Sequence, residues 1–228
     1  MNAGMLRTAM TDLPPLDDAS FWGMRRAEVR ERVLRDDPAA FLSWPTIVST
    51  MFVGAAPYVE LERAALSAEW RDAATDTNMT HQAYHMAEWE RATGGRVCDL
   101  RSVVEFGGGY GALALVLRRY GYTGAYAIVD FPEFALLQRY YLSQHGVDDV
   151  RWVDAPQPAD LFIGLWSLNE TDQATQARVN TDIDAPSVLL AYQNAAPPSL
   201  LNDPRWQWQT RRIDHLMSGG NSYAYGVK

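Results

Sequence analysis

The chain has one cysteine, Cys98, among 228 residues. A lone thiol cannot close an intrachain disulfide, and no Cys/His spacing of the zinc type is present, so a disulfide framework and a structural zinc site are both excluded. Basic residues are in deficit: 20 Lys and Arg stand against 28 Asp and Glu, a formal net charge of -8. Nonspecific affinity for a phosphate backbone comes mainly from clustered Lys and Arg that release counterions, so nucleic acid is not an expected partner. Long apolar runs are missing too. The longest, "IVSTMFVGAAPYV" from Ile47 to Val59, contains Ser, Thr and Pro and falls short of the roughly 20 residues of a membrane span. The opening "MNAGMLRTAMTDLPPLDDASFW" has no apolar h-region of the signal-peptide kind. There is no internal repeat and no low-complexity tract. These absences lead us to expect a soluble protein of a reducing cytoplasm, without a membrane partner.

What is present is the composition of an ordinary globular protein, 47% hydrophobic and 21% charged, with enough length for a sizeable core. The texture of the chain changes near Gly94-Gly95. Residues 1–20, with Pro14 and Pro15, read as a poorly ordered lead-in, and the rest of 1–95 reads as helical, with Thr80 as the N-cap of its last helix and the Gly-Gly pair as its stop. We therefore expect 1–95 to be a helical cap or substrate-lid segment and 96–228 to be the core. In the core, short apolar runs alternate with helical segments: "SVVEF", "AYAIVD", "VRWV", "DLFIGLW" and "SVLLAYQ" read as strands, and Pro132 opens a helix that Gly146 ends. Such alternation predicts an α/β fold with a doubly wound, mostly parallel sheet. The end of the chain departs from it. "WQWQTRRI" and "NSYAYGVK", on either side of Ser218-Gly219-Gly220, read as a C-terminal antiparallel hairpin.

The stretch "VVEFGGGYGALALVLRRYGYTGAYAIVDFPE", Val103 to Glu133, carries the chemistry. Gly107, Gly109 and Ala112 fit the G-x-G-x-x-A fingerprint of a dinucleotide turn, and Asp130 ends the second strand where a ribose is gripped. That grip suits NAD and S-adenosylmethionine equally. Glu105 separates them: NAD seats a pyrophosphate on the helix N-terminus, which Glu105 opposes, whereas S-adenosylmethionine carries a sulfonium and an ammonium, which it suits. A dinucleotide fingerprint also usually opens its fold, and here about a hundred residues precede it.

With "ADLFIGLWSLNE" further on, these segments resemble the bacterial sugar O-methyltransferases of the class I, S-adenosylmethionine-dependent superfamily. The resemblance covers roughly Val103 to Glu170. It implies a Rossmann-like, seven-stranded sheet closed by the terminal hairpin, and methyl transfer to a hydroxyl of a sugar or saccharide, as in polysaccharide biosynthesis. In that family an acidic residue precedes the glycine turn, the second strand ends in Asp, a hydrophobic residue, Pro and Glu, and the fourth ends in a Ser-Glu pair. Here Asn169 stands where Ser is expected, with Glu170 as the acidic half.

The residue assignments follow. Gly107, Gly109 and Gly111 let the methionine part of the cofactor lie on the main chain. Glu105 faces its ammonium and Asp130 its ribose, with Phe131 against the adenine and Asp154 accepting from the adenine amino group; core packing for Phe131 and a solvated loop for Asp154 are the bland alternatives. A sugar hydroxyl has a high pKa, so a general base helps, and Glu170, His215 and His81 are the catalytic candidates. Glu170 could equally stabilise the N-terminus of the helix after it. His81 and His85 share a helix face, and His145 suits a helix C-terminus. Trp166, Asn169, Tyr58 and His85 are assigned to the acceptor. Some O-methyltransferases hold Mg²⁺ at the ends of the fourth and fifth strands, where this chain has Asn169, Glu170, Gln193 and Asn194; Mg²⁺ is an option and not a requirement. The partner is a small-molecule or oligosaccharide acceptor. The N-terminal helices either pair subunits into a homodimer or cap the site. Three rival readings stay open: an O- or N-methyltransferase for an aromatic or other natural product, an NAD-dependent oxidoreductase, and a catalytically silent scaffold.

Overall fold

The computed structural model describes residues 1–51, 56–216 and 220–228. Seven strands, β1 (Ser102–Phe106), β2 (Ala125–Val129), β3 (Val150–Trp152), β4 (Leu161–Leu165), β5 (Ser187–Gln193), β6 (Gln207–Ile213) and β7 (Asn221–Val227), form one sheet in the order β3-β2-β1-β4-β5-β7-β6. The pairs among β1 to β5 are parallel, and β7 runs antiparallel to both β5 and β6. Ser218 and Gly219 of the expected hairpin turn lie outside the described residues.

The period of two along a strand sorts the core into two layers. Val103 of β1, Leu161 and Ile163 of β4 and Leu189 of β5 join one apolar cluster, while their neighbours Val104, Phe162, Val188 and Leu190 join the other. Both faces are therefore buried, and for this reason "LFIGL" and "SVLLAYQ" read as continuous apolar runs. Helices α7 (Ala112–Tyr120) and α8 (Pro132–Gln144) follow β1 and β2 and cover the first layer; the helix that follows β4, Gln173–Asp182, covers the second with Val179. The crossovers diverge between β1 and β4, which opens a crevice at the carboxyl ends of those strands.

The first layer also takes in the N-terminal helices α1 (Ala3–Thr11), α2 (Phe21–Arg35), α3 (Pro45–Met51), α4 (Ala56–Ala65), α5 (Ala68–Ala73) and α6 (Thr77–Thr93); Gln173–Asp182 is then α9. One cluster runs from Leu6 and Met10 through Met79 and Met86 to Leu137 and Tyr223, so the cap shares the core of the sheet. This corrects the reading of the first residues as a loose lead-in. Asn2 caps α1 by accepting from the Met5 N–H at 3.0 Å, and Leu6 and Met10, one turn apart, are both fully buried. Two apolar residues among polar ones are enough when a neighbouring groove receives both. Thr80 is likewise not a cap. Asp76 caps α6, accepting from Met79 N at 2.8 Å, and the Thr80 hydroxyl donates back to Asp76 O; several cap-competent residues sit in "TDTNMT", and the carboxylate took the position. Gly94, with φ +72°, ends the helix as expected.

A buried ion pair ties α2 to α8. Arg26 Nε donates to Glu133 Oε2 at 2.8 Å and Arg30 bonds the other oxygen. Burial opposes the charge of Glu133, but the two guanidiniums overcome it and hold the carboxyl below its ordinary value. Among the described residues no helix is long and apolar enough to cross a membrane.

If α1 is part of the core, Leu6→Ala removes a fully buried side chain and costs about 2–4 kcal/mol, read as a shift of the urea unfolding midpoint. A loose lead-in would give a change close to zero.

Candidate functional site

The site starts where β1 and β4 end side by side. Gly107 has φ +75°, and a Cβ there would lie 2.2 Å from Ser167 Cβ; the turn after β1 thus lies backbone against the turn after β4, and only glycine fits. Ser167 Oγ donates to Phe106 O, and Gly107 N donates to Val129 O at 2.9 Å, which ties β1, β2 and β4 at one edge. Between them Trp166 sits at φ +58°, the one positive value at a non-glycine among the described residues. That conformation costs roughly 1–3 kcal/mol and persists only where its surroundings over-determine it. Here Trp166 N donates to Ala191 O at 2.7 Å and Nε1 to Asn221 Oδ1 at 3.1 Å.

Two carboxyls stand at this edge. Glu105, in β1, is 4% exposed and accepts from Tyr126 Oη at 2.7 Å. Burial pushes it up to about 7, against the pull of Tyr126 and with help from the charge of Asp130. Asp130, just past β2, is also pushed up to about 7 by burial, although Phe131 N at 2.7 Å, Gln138 Nε2 at 2.7 Å and the Gly108 N–H all donate to it. Gln138 is a residue that sequence reasoning missed. Fully buried on α8, it donates to Gly109 O at 2.9 Å as well as to Asp130, and accepts from Trp152 Nε1 at 2.8 Å. A glutamine one turn into a helix carries no motif signal; only the fold shows that it spans the glycine turn, the second strand and the third.

The acceptor side is built from longer range. His81 of α6, 1% exposed, places Nδ1 2.7 Å from Glu62 Oε1 of α4, and His215, after β6, places Nε2 2.7 Å from the same oxygen. His81 Nε2 has no hydrogen-bond partner among the described residues. The His81 ring lies nearly parallel to Trp166, 5.6 Å between centroids at 22°. Glu62 is the second residue missed, since nothing in "YVELERAALSAEW" distinguishes it from a solvated helix acid.

A cavity of about 680 Å³ joins both halves. Of the expected residues, Glu105, Gly107, Gly109, Asp130, Phe131, Asp154, Trp166, Glu170 and His81 line it. Gly111 lies just outside the wall, at φ +97°, as the first residue of the α7 N-terminus. Phe131 packs beneath Arg26, 4.6 Å from guanidinium to ring centroid. Glu170 is exposed at the wall with no hydrogen bond or ion pair among the described residues, yet protein on most sides lifts its carboxyl above the ordinary value. The cap of α9 is Asp172, not Glu170.

Other assignments fall elsewhere. His85 is fully buried behind His81, with Nδ1 2.5 Å from Tyr223 Oη, and does not line the cavity. Tyr58 lies on α4 off the wall, and Asn169 is off it too. Asn194 donates its N–H to Gly220 O at the hairpin. Of the Mg²⁺ set, Glu170 alone lines the cavity, and no three His, Cys, Asp or Glu among the described residues are grouped to hold a metal ion; the donors do not fit a divalent site.

No protein-family model matches the chain, and no curated protein matches it in sequence. Its fold does have solved relatives. The PH0226 protein from Pyrococcus horikoshii OT3 is 11% identical, with 77% of this chain and 100% of that one covered and a TM-score of 0.50. A SAM-dependent methyltransferase from Aquifex aeolicus is 14% identical over 74% of this chain and 97% of that one, TM-score 0.45. A ribosomal protein L11 methylase from Lactobacillus delbrueckii subsp. bulgaricus is 16% identical over 68% and 80%, TM-score 0.48. At such identities the likeness concerns the fold. Sheet order, terminal antiparallel strand and flanking helices are those of the Rossmann-like methyltransferase fold.

The raised Glu105 has a consequence for stability. Its value of about 7 in the folded chain lies above the ordinary 4.5, so the folded state binds the extra proton between those pH values and loses stability as pH rises through them. Glu105→Gln removes that loss: near pH 8 the variant is more stable than wild type by on the order of 2 kcal/mol, and near pH 4.5 the two converge. Urea unfolding at both pH values checks this, and equal stabilities at pH 8 would contradict it.

Proposed function

We propose that this chain is an S-adenosylmethionine-dependent methyltransferase that methylates a hydroxyl of a small, polar, uncharged acceptor, a sugar or saccharide, with His81 as general base. The observation that carries the reading is the pair of carboxyls, Glu105 buried and Asp130 half-buried, beside the glycine turn. A pyrophosphate placed there would meet two carboxyls that have no ion-pair partner among the described residues; an ammonium and a ribose suit them. The residues present fit the cofactor: Glu105 would face its ammonium, Asp130 its ribose hydroxyls, Phe131 its adenine and Asp154 the adenine amino group. When bound, it supplies an electrophilic methyl group on a sulfonium.

The protein's own residues do the rest. Orientation is the main contribution to such a displacement, and the strained Trp166 with the stacked His81 ring offers a flat wall on which the C–H face of a sugar ring can lie. His81 Nε2, lacking any protein partner, accepts the proton that the hydroxyl gives up. Asp18, Asp154, Glu170 and Asp172 also line the cavity, with Arg178 as the one guanidinium among the described lining residues. Such a wall disfavours phosphorylated or carboxylated acceptors, nucleic acid included. The same charge tolerates an amine, so an amine acceptor is the second reading.

Calorimetric titration tests the cofactor. S-adenosylhomocysteine should bind, and its Kd should rise roughly tenfold between pH 8 and pH 6 for each carboxyl that must give up a proton from a value near 7. Tight binding of NADH with none of S-adenosylhomocysteine would reject the reading. With an active acceptor in hand, His81→Ala should lower kcat by about 10²–10⁴ with the affinity for S-adenosylhomocysteine kept; an unchanged kcat would remove His81 from the mechanism.

A further inference from the structure

Glu62, His81 and His215 come from three distant parts of the chain, and one carboxylate oxygen holds both rings, each at 2.7 Å. Glu62 is 1% exposed, and its second oxygen has no hydrogen-bond partner among the described residues. Its charge is therefore answered by the two histidines and by no solvent. Burial pushes the carboxyl up, but the hydrogen bonds and charges of His81 and His215 together outweigh that and leave it below the ordinary value. An ionised carboxylate only accepts. Whenever His81 is neutral, the ring nitrogen facing the carboxylate carries its one proton, which leaves the lone pair on Nε2, a buried atom without a hydrogen-bond partner among the described residues, in a residue of the cavity wall.

We propose that Glu62 is the positioning residue that holds His81 in the tautomer able to take a proton at Nε2, and that His215, bound to the same oxygen, sets how basic His81 is. The inference deepens the methyltransferase reading and rests on it for its catalytic half. The proton leaves the acceptor hydroxyl for His81 Nε2, and the imidazolium that results keeps its Nδ1–H on Glu62. While His215 is neutral, the full carboxylate charge supports that imidazolium. Once His215 is protonated, it takes a share of the same charge and repels a second cation nearby, so His81 becomes a weaker base.

The other groups around the pair do not take this role. His85, 4.1 Å from His81 between ring centroids, is held well below its ordinary value by burial and by the charges of His81 and His215, and stays neutral. Tyr84 packs edge-on against His215 at 5.2 Å, and burial raises its hydroxyl to about 12. Tyr223 bonds His85, Glu88 is paired with Arg91 and Arg211, and Glu105 and Glu170 line the same cavity as His81.

Nitrogen-15 NMR of the histidine rings in the full chain, without acceptor, tests this in wild type, Glu62→Gln and His215→Gln, with S-adenosylhomocysteine binding measured alongside. Wild-type His81 should be protonated at Nδ1 when neutral. In Glu62→Gln its titration midpoint should fall by roughly one pH unit or more, and with an acceptor in hand kcat should fall about 10–100-fold. In His215→Gln the midpoint should rise, and the acid limb of the kcat profile should move to higher pH with it. A merely structural link would move none of these. An unchanged His81 midpoint in His215→Gln, the milder change, overturns the coupling even if Glu62→Gln fails to fold, and a wild-type His81 protonated at Nε2 overturns the tautomer. Failure of wild type to bind S-adenosylhomocysteine would instead strike the methyltransferase reading, and the ring measurements would still decide the carboxylate's role.

Discussion

The contact on which the site depends is between two turns. The chain leaves β1 toward one face of the sheet and β4 toward the other, and at that divergence Gly107 and Ser167 approach so closely that a Cβ at 107 would lie 2.2 Å from that of Ser167. Because no side chain intervenes, the main chain itself becomes the floor of the cavity. Next to Ser167, Trp166 takes a left-handed conformation, φ +58°, with its indole beside His81. Strain at one residue thereby couples the glycine turn to the wall opposite it. Such strain is characteristic of sites where geometry matters more than stability.

Charge at this edge is arranged with the same bias. Two arginines near it are engaged elsewhere, Arg26 and Arg30 on Glu133. Glu105 and Asp130 keep hydrogen bonds from Tyr126, Gln138 and backbone amides, but no ion pair. Buried carboxyls held this way rise toward neutral pH, because desolvation penalises the charged form more than neutral donors repay it. The free protein bears that cost, and a cationic ligand relieves it. The contrast with Glu133 is instructive, since it too is buried yet held low by two guanidiniums; it serves as a structural clasp.

How much of this was legible in the sequence depended on range. The sheet, its strands and the terminal hairpin were readable because buried parallel strands leave apolar runs and the intervening helices end in glycine. That Glu105, Gly107, Gly109, Asp130 and Phe131 line one cavity was readable for a similar reason: all lie within one contiguous stretch, where spacing maps directly onto geometry. Gln138 escaped because its three partners become adjacent only in the fold. Glu62 escaped because a glutamate on a short amphipathic helix is ordinarily solvated, and what buries it comes 19 and 153 residues later. Tyr58 and His85, chosen for residue type and helical spacing, illustrate the converse. One turn of helix separates His81 from His85, yet one lines the cavity and the other is packed behind it against Tyr223. A side-chain period places residues on a face; it does not say what the face meets.

The two halves of the cavity consequently differ in what they demand of the chain. The glycine-turn end needs a strand, a turn and the following strand. The opposite end needs α4 and α6 from the N-terminal helices, Trp166 from the β4 turn and His215 from beside the hairpin, all meeting at one carboxylate. The shared core that runs from Leu6 to Tyr223 makes that meeting possible, since helices that docked only loosely could not hold a buried Glu62 within 2.7 Å of two rings. Uncompensated, Glu62 would be costly to bury, and so the two histidines stabilise the junction of cap, sheet and hairpin whatever else they do. On the proposed reading, the group that would move the acceptor's proton is thus also part of what holds the cap to the sheet. A change in the helices would then register at the acceptor end while leaving the glycine turn and its carboxyls in place.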